Sequence, residues 1–407
     1  MKRTLGGLAA LLVIAACAAR SKTTPPPSPF PLATVWTVPL PALIEGPLAT
    51  DGERLFVATR DGDVRALEIT TGAESWKAVG RGGALGHGEG LLVARQADGT
   101  VWGLEPKSGS ARWKASSGVV GTIPPVIDQG RVLVAGEGFA SLGRGGGLPL
   151  WSVPTPPTVT TPPLPFGPWI FAGEADGTLR ARDGATGVSL WAFPTSRALR
   201  APMLVDDQRR LFVGTTSDSF IALNAARGHK QWRWKLGTDV QTAPVIVGGL
   251  VFFASHEAVL YALKRGNGHM VWRVSLPSRP LSGPILYGKT LLVACAESRL
   301  VGFDLTTGKR RGDLQVRVPG DEGTPVIRTP PLVLDNRLFV GVSNPPAVLG
   351  LELGAAPSPA PSPEAAPSPA EATPALPRPS PSLSPTPSPT PNPMGRLGSV
   401  GDAPATP

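Results

Sequence analysis

A tryptophan returns through most of this chain at a nearly fixed interval, four residues after a glycine. The six best copies are Trp76, Trp113, Trp151, Trp191, Trp232 and Trp272, spaced 37, 38, 40, 41 and 40 residues apart. Their glycines are Gly72, Gly109, Gly147, Gly187, Gly228 and Gly268. A period of about 40 residues means one supersecondary unit stacked many times over. The repeat decides the fold and limits what the function can be.

The unit from Ala201 to Trp232 shows its contents. A short apolar run after Pro202 is followed by a polar turn at Asp206-Asp207-Gln208. A second apolar run covers Leu211-Phe212-Val213, with a turn at Ser217-Asp218. A third strand spans Phe220 to Leu223, and after Arg227-Gly228 a fourth begins at Trp232. Short β-rich runs between closely spaced turns indicate antiparallel all-β structure, and four strands per repeat suit a propeller blade. The same frame opens near Pro47, Ala84, Pro125, Pro163, Pro202, Pro244, Pro284 and Pro331, which gives eight units. Asp61-Gly62, Asp98-Gly99 and Asp176-Gly177 supply hairpin turns between second and third strands, since Asp-Gly readily takes the positive φ angles required. Each Trp is expected to pack on the neighbouring blade, burying roughly 150–250 Å². The eighth unit stops near Leu353 without a fourth strand, while Thr34 to Val38 precedes the first unit as an orphan strand. The expected fold is therefore all-β: an eight-bladed propeller of four-stranded antiparallel blades over residues 33–353, its ring closed by the N-terminal strand. Two units depart from the pattern. The third is glycine-rich from Gly143 to Gly147, and the seventh has Gly312 where Trp is expected.

The pattern A-L-x-x-x-T-G-x-x-x-W, carried by Ala66-Leu67 to Trp76 and Ala222-Leu223 to Trp232, resembles the tryptophan-docking repeat of pyrroloquinoline-quinone-type propellers. The resemblance covers about residues 33–353 and is more specific for fold than for function.

Residues 1–17 read MKRTLGGLAALLVIAAC, a charged start, an apolar stretch and a lone cysteine. Ile14-Ala15-Ala16-Cys17 resembles a bacterial lipobox, which implies lipidation of Cys17 and export. An ordinary signal peptide or a short membrane helix is the alternative, although the stretch is short for a bilayer. Ala18 is not the aspartate that resembles an inner-membrane retention signal, so in a host with two membranes the outer one is expected, facing the periplasm. Residues 18–32 read as a Pro-rich linker. Residues 354–407, rich in Pro, Ser and Ala, read as a disordered, extended tail. Cys295, within the apolar run Leu291 to Cys295, is expected to be a buried, inert thiol. The net charge of +9 invites a nucleic-acid reading, but the basic residues are scattered and no nucleic-acid motif is present. Weak attraction to anionic lipid or cell-wall polymer follows more naturally.

Chemistry finds little support. Propeller enzymes with this repeat use a quinone and Ca²⁺, and commonly a vicinal cysteine pair that this chain does not have. Asp61, Asp98, Asp176 and Asp183 fall at turns or strand ends, where backbone geometry explains them. Trp102, Trp169 and Trp234 are the candidates for a ring platform, and His87, His229, His256 and His269 show no ligand spacing. The expectation is a non-enzymatic protein with no cofactor and no metal.

An exported, lipid-anchored propeller resembles the BamB family, lipoproteins of the outer-membrane β-barrel assembly machinery. That resemblance implies a monomeric propeller working within a complex and bound to the barrel-inserting subunit through interblade loops. The family carries an L-x-L-R loop and, one blade on, a D-x-D loop. This chain has Arg197-Ala198-Leu199-Arg200 and Asp239-Val240-Gln241 at those places, so Leu199, Arg200 and Asp239 match while Arg197 and Gln241 depart. An exposed Leu beside an Arg would make an apolar anchor with a directional donor. Otherwise Leu199 covers a blade edge, with Arg200 and Asp239 a weak surface pair. Two other functions stay open: a cell-surface or periplasmic adhesion and sensing module, and a quinone-dependent dehydrogenase.

Overall fold

The computed structural model describes residues 30–353. The expectations for the leader, Cys17, most of the linker and the tail from 354 lie outside the described residues. The described residues are all-β, with no helix among them. Eight antiparallel sheets follow in chain order. Blade 1 is typical, with strands Ala49–Thr50, Arg54–Thr59, Asp63–Glu68 and Glu74–Ala78 running from axis to rim. Blades 2 to 7 repeat this over 84–116, 126–158, 164–194, 204–235, 245–275 and 285–315. Each first strand begins within two residues of the position expected from the sequence.

Closure is also as expected. Leu32–Pro39 pairs antiparallel with Ala347–Leu353 and supplies the rim strand of blade 8. Ala347–Leu353 pairs on its other side with Arg337–Ser343, and the innermost strand is in two pieces, Val326–Ile327 and Leu332–Leu334. Sharing one sheet between the two ends of the chain removes a free edge that would otherwise invite pairing with another molecule.

Blade 3 owes its irregularity to a very short turn. Arg131–Gly143 is continuously extended, yet it doubles back at Gly136-Glu137-Gly138. The Arg144 amide donates to the Gly130 carbonyl at 2.9 Å, the same bond that Gly184 makes to Pro168 in blade 4 and Arg265 makes to Gly249 in blade 6. Arg131–Gly143 therefore supplies both the second and the third strand of blade 3, joined without an intervening loop, and Pro149–Thr158 is the fourth.

The tryptophans lock each blade to the next. The Trp76 indole Nε1 donates to the Pro106 carbonyl at 2.9 Å, Trp113 to Arg144 at 2.8 Å and Trp232 to Arg265 at 3.1 Å. Trp151, Trp191 and Trp272 repeat the bond. Trp36, on the closing strand, does the same to Ile69 of blade 1 at 3.1 Å. Each ring lies flat on the turn glycine of the following blade. A Cβ added at Gly109 would stand 2.4 Å from Trp76, and one at Gly268 would stand 2.7 Å from Trp232. The repeating Trp and Gly are thus two halves of one contact, and the glycine also holds the positive φ that its turn requires.

The core is divided among the junctions in the same way. Leu55, Val57 and Leu67 of blade 1 pack with Phe339 and Val348 of blade 8, and comparable clusters fill the other interfaces. Cys295 is fully buried in one of them, and burial pushes its thiol up to about 11, so it stays protonated and unreactive at neutral pH.

Candidate partner-binding face

In an up-and-down blade, the turns between second and third strands and the connections to the next blade share one end. Backbone bonds tie these two sets of loops together. Thr195 N donates to Gly177 O at 2.7 Å, Leu236 to Asp218 at 2.7 Å and Leu276 to Ala258 at 2.7 Å. The face is therefore held as a rim of paired loops.

The 197–200 connection between blades 4 and 5 is pinned at every carbonyl from Arg197 to Leu199. The Thr195 hydroxyl donates to Arg197 O at 3.0 Å, Thr216 to Ala198 O at 2.7 Å and Thr160 to Leu199 O at 2.6 Å. Leu199 itself is fully buried. It seats on Gly173, where an added Cβ would lie 2.6 Å from the leucine Cβ, and packs with Phe171 and Leu211. The expected role of Leu199 as an exposed anchor is thereby corrected: its side chain is a plug that secures its own loop. Arg197 and Arg200 project outward from that fixed backbone.

The next connection repeats the design. Val240 is fully buried against Gly214, and its amide donates to Thr215 O at 3.0 Å. Asp239 is partly exposed. Its carbonyl accepts from the His256 amide at 3.0 Å, and its carboxylate accepts from the Gln241 amide nitrogen at 3.3 Å. No ion pair joins Asp239 to Arg200 among the described residues. The two loops thus offer Arg197, Arg200, Asp239 and Gln241 on adjacent connections of one face. Burial of Leu199 matches the alternative reading in which it covers a blade edge, whereas sequence reading missed the Val240 plug and the threonines that fix the loops. Thr160, Thr195 and Thr216 act through backbone carbonyls at unequal spacings, so no motif marked them.

The connection from blade 2 to blade 3 is fixed differently. Arg95 is fully buried, and its guanidinium donates to the carbonyls of Val119 and Ile123 at 2.9 Å and of Ala135 at 2.5 Å. Among the described residues no carboxylate pairs with it, and burial pulls its pKa down to about 10. Through Nη1 and Nη2 this charged group holds the 119–123 loop to two blades at once, while its buried Nε has no hydrogen-bond partner among the described residues.

The residues considered for chemistry do not come together. Trp102 lies between Arg81 and Lys114, with the cations 5.3 and 4.8 Å from its ring. Trp169 lies in blade 4 beneath Arg209, and Trp234 lies on the rim strand of blade 5. They form no common platform. His87 sits in the first strand of blade 2, 5.9 Å from Phe56, with its pKa lowered by burial. Among the described residues, no three His, Cys, Asp or Glu side chains group as metal ligands.

Comparison with known proteins places this architecture. The family profile described as outer membrane protein assembly factor BamB matches residues 33–119, 97–200 and 175–344. The crystal structure of BamB from Moraxella catarrhalis superposes with a TM-score of 0.66 at 20% identity, over 80% of this chain and 98% of that one. The quinohemoprotein alcohol dehydrogenase of Comamonas testosteroni superposes with a TM-score of 0.65 at 12% identity, over 80% of this chain and 77% of that one. At such identities these structures share the fold. The serine/threonine-protein kinase AfsK of Streptomyces griseus is 26% identical over 53% of this chain, which spans about a third (34%) of the kinase. The profile matches span well over half of the sequence, and the chain belongs to the family of the outer membrane protein assembly factor BamB.

Proposed function

We propose that this protein is a non-catalytic, lipid-anchored scaffold that assists the assembly and insertion of outer-membrane β-barrel proteins. In this reading Cys17 carries the lipid, the propeller faces the periplasm, and the barrel-inserting subunit docks on the loop face that carries Arg197, Arg200 and Asp239. The observation that carries it, beyond family membership, is the construction of those loops. Buried plugs and threonine bonds fix the backbone, so charged side chains are presented with little ordering cost on binding. Arg200 supplies the directional donor that recognition hot spots favour.

The test is a mild-detergent pull-down from native membranes with tagged wild type and the Arg200→Glu/Asp239→Ala double variant in parallel. Recovery of a barrel-inserting membrane protein by wild type, with at least a tenfold loss in the variant (~1.4 kcal/mol), supports the reading. Equal recovery by a folded variant removes the site. Recovery of cell-wall or surface components instead moves the function to adhesion or sensing, the reading with which the match to a kinase agrees better.

A further inference from the structure

The junction between blades 4 and 5 holds a half-open pocket of ≈ 80 Å³. Thr195, Ser196 and Ser217 line it, with Lys230 and Arg233 from the rim strand; none of its ten lining residues is acidic. Arg233 is held in place: its Nε donates to the buried Ser219 hydroxyl at 2.6 Å and its Nη2 to Asp218 at 2.8 Å. Nη1 is left for an external acceptor. Lys230 has no carboxylate within ion-pair distance among the described residues.

The same position in other blades is charged differently. Blade 1 has Arg65 there, opposite Val57, and neutralises it with Asp61 at 3.0 Å, Asp63 at 3.4 Å and Glu74 at 3.4 Å. Blade 4 has Arg180, opposite Ala172, and neutralises both Arg180 and Arg182 with the fully buried Glu174 at 2.9 Å each. Blade 5 puts Ile221 in that register, opposite Val213, and moves its cation to Arg233 directly across from Ile221. The place of Glu174 is taken by Thr215. Cations thus remain at a place where blades 1 and 4 carry built-in carboxylates, and the two lining cations, Lys230 and Arg233, set against Asp218 leave one positive charge at the pocket.

We infer that the blade 4–5 pocket is a binding site for a single carboxylate group supplied from outside the chain. One net charge and a small, hydroxyl-lined space match a monoanion, and a charge-assisted bond to a fixed guanidinium is stronger than a neutral one. The carboxylate comes from a free small acid or from an acidic side chain of a docked peptide. The inference does not depend on the scaffold role, although Ser196 puts the pocket beside the 197–200 loop.

The test is NMR of the Arg233 Nε–H resonance in the full-length chain, assigned by its loss in Arg233→Lys. Three probes are titrated: acetate, a capped peptide with one Glu, and the same peptide with Gln. Saturable shifts from acetate and the Glu peptide at similar concentrations identify a small-acid site, and a much tighter Glu peptide identifies a peptide site. Lys230→Gln, at an exposed position, weakens either by about tenfold. Thr215→Glu, which installs the carboxylate that blade 4 carries, abolishes the shift; its melting temperature checks that it folds. Equal shifts from the Gln peptide, no shift from any probe, or undiminished binding in Lys230→Gln overturns the proposal. The pull-down outcome with the loop variants is read separately, so failure of one reading leaves the other intact.

Discussion

The junction between blades 5 and 6 and the junction between blades 7 and 8 solve one packing problem from opposite sides. At the first, Trp232 leaves its own blade and seats on Gly268 of the next. At the second, Gly312 stands where the tryptophan should be, and Phe30 enters the vacated place. A Cβ at Gly312 would lie 2.7 Å from the Phe30 ring, and one at its register partner Gly302 would lie 2.4 Å away. The cause is closure. A docking Trp needs the turn between third and fourth strands of the following blade, and in blade 8 those strands are Ala347–Leu353 and Leu32–Pro39, from opposite ends of the chain. With no turn to receive an indole, the segment entering the closing strand sends an aromatic ring backwards. What the repeat requires is therefore a filled junction, and tryptophan is the means only where a turn exists.

The largest expected effect comes from emptying an ordinary junction. Trp232→Ala removes a buried ring and its bond to Arg265, at a cost of about 3–5 kcal/mol. Urea unfolding followed by circular dichroism should show the midpoint fall without a change in slope. A loss below about 1 kcal/mol would mean that neighbouring side chains such as Phe220 collapse into the gap, and the tryptophans would not be the main locks.

At the closing junction the effect is smaller and should be coupled. Gly312→Ala drives a methyl into the Phe30 ring and costs about 1–3 kcal/mol, with some backbone strain included because Gly312 has φ 156. Phe30→Ala in the same chain relieves the clash but not the strain. The double variant should be less destabilised than the sum of the singles, with a coupling of about 0.5–3 kcal/mol. Simple additivity would show that Phe30 is not the substitute for the missing indole.

Much of this was legible because the repeat encodes it. Trp76 and Gly109 recur in phase, so the blade count, the strand openings and the closing strand follow from spacing alone. Gly312 was legible only as an exception. Its explanation lies in Phe30, outside the repeat and at the far end of the sequence, where no periodicity points to it. The site was harder. Leu199 stands in a loop between Arg197 and Arg200, a setting that leaves its exposure open, and the close approach to Gly173 makes it core. Arg200 and Asp239 stand on adjacent connections, as consecutive interblade positions require, but the threonines that fix the loops act through backbone carbonyls and leave no charge or spacing signature. The blade 4–5 pocket was invisible for a related reason: it is defined by the carboxylate that Thr215 does not supply, which shows only against Glu174 in the same register.

The smallest effect concerns the turns that receive the indoles, and it depends on pH. Asp304 organises the turn ending in Gly308, on which Trp272 rests, by accepting from the amides of Thr306 at 3.0 Å and Thr307 at 2.8 Å. Asn224 does the same work without charge in blade 5, accepting from Ala226 at 3.1 Å and Arg227 at 3.0 Å. The Arg311 guanidinium, with the turn amides and the Thr307 hydroxyl, holds the Asp304 pKa down from 3.8 to about 2. A folded-state pKa below the unfolded one stabilises the fold above the unfolded value, and that contribution is lost as pH falls from about 4 through about 2. Asp304→Asn keeps one acceptor for the amides and loses the charge, so at neutral pH it should cost about 1.5 kcal/mol, the low end for a charge-assisted bond because the pair is partly exposed. Unfolding midpoints of the two proteins, taken stepwise between pH 5 and pH 2, should converge as Asp304 is protonated. A gap that stays constant over that window would show that the blade 7 turn, like the one at Asn224, rests on its acceptor geometry alone and gains nothing from the ion pair.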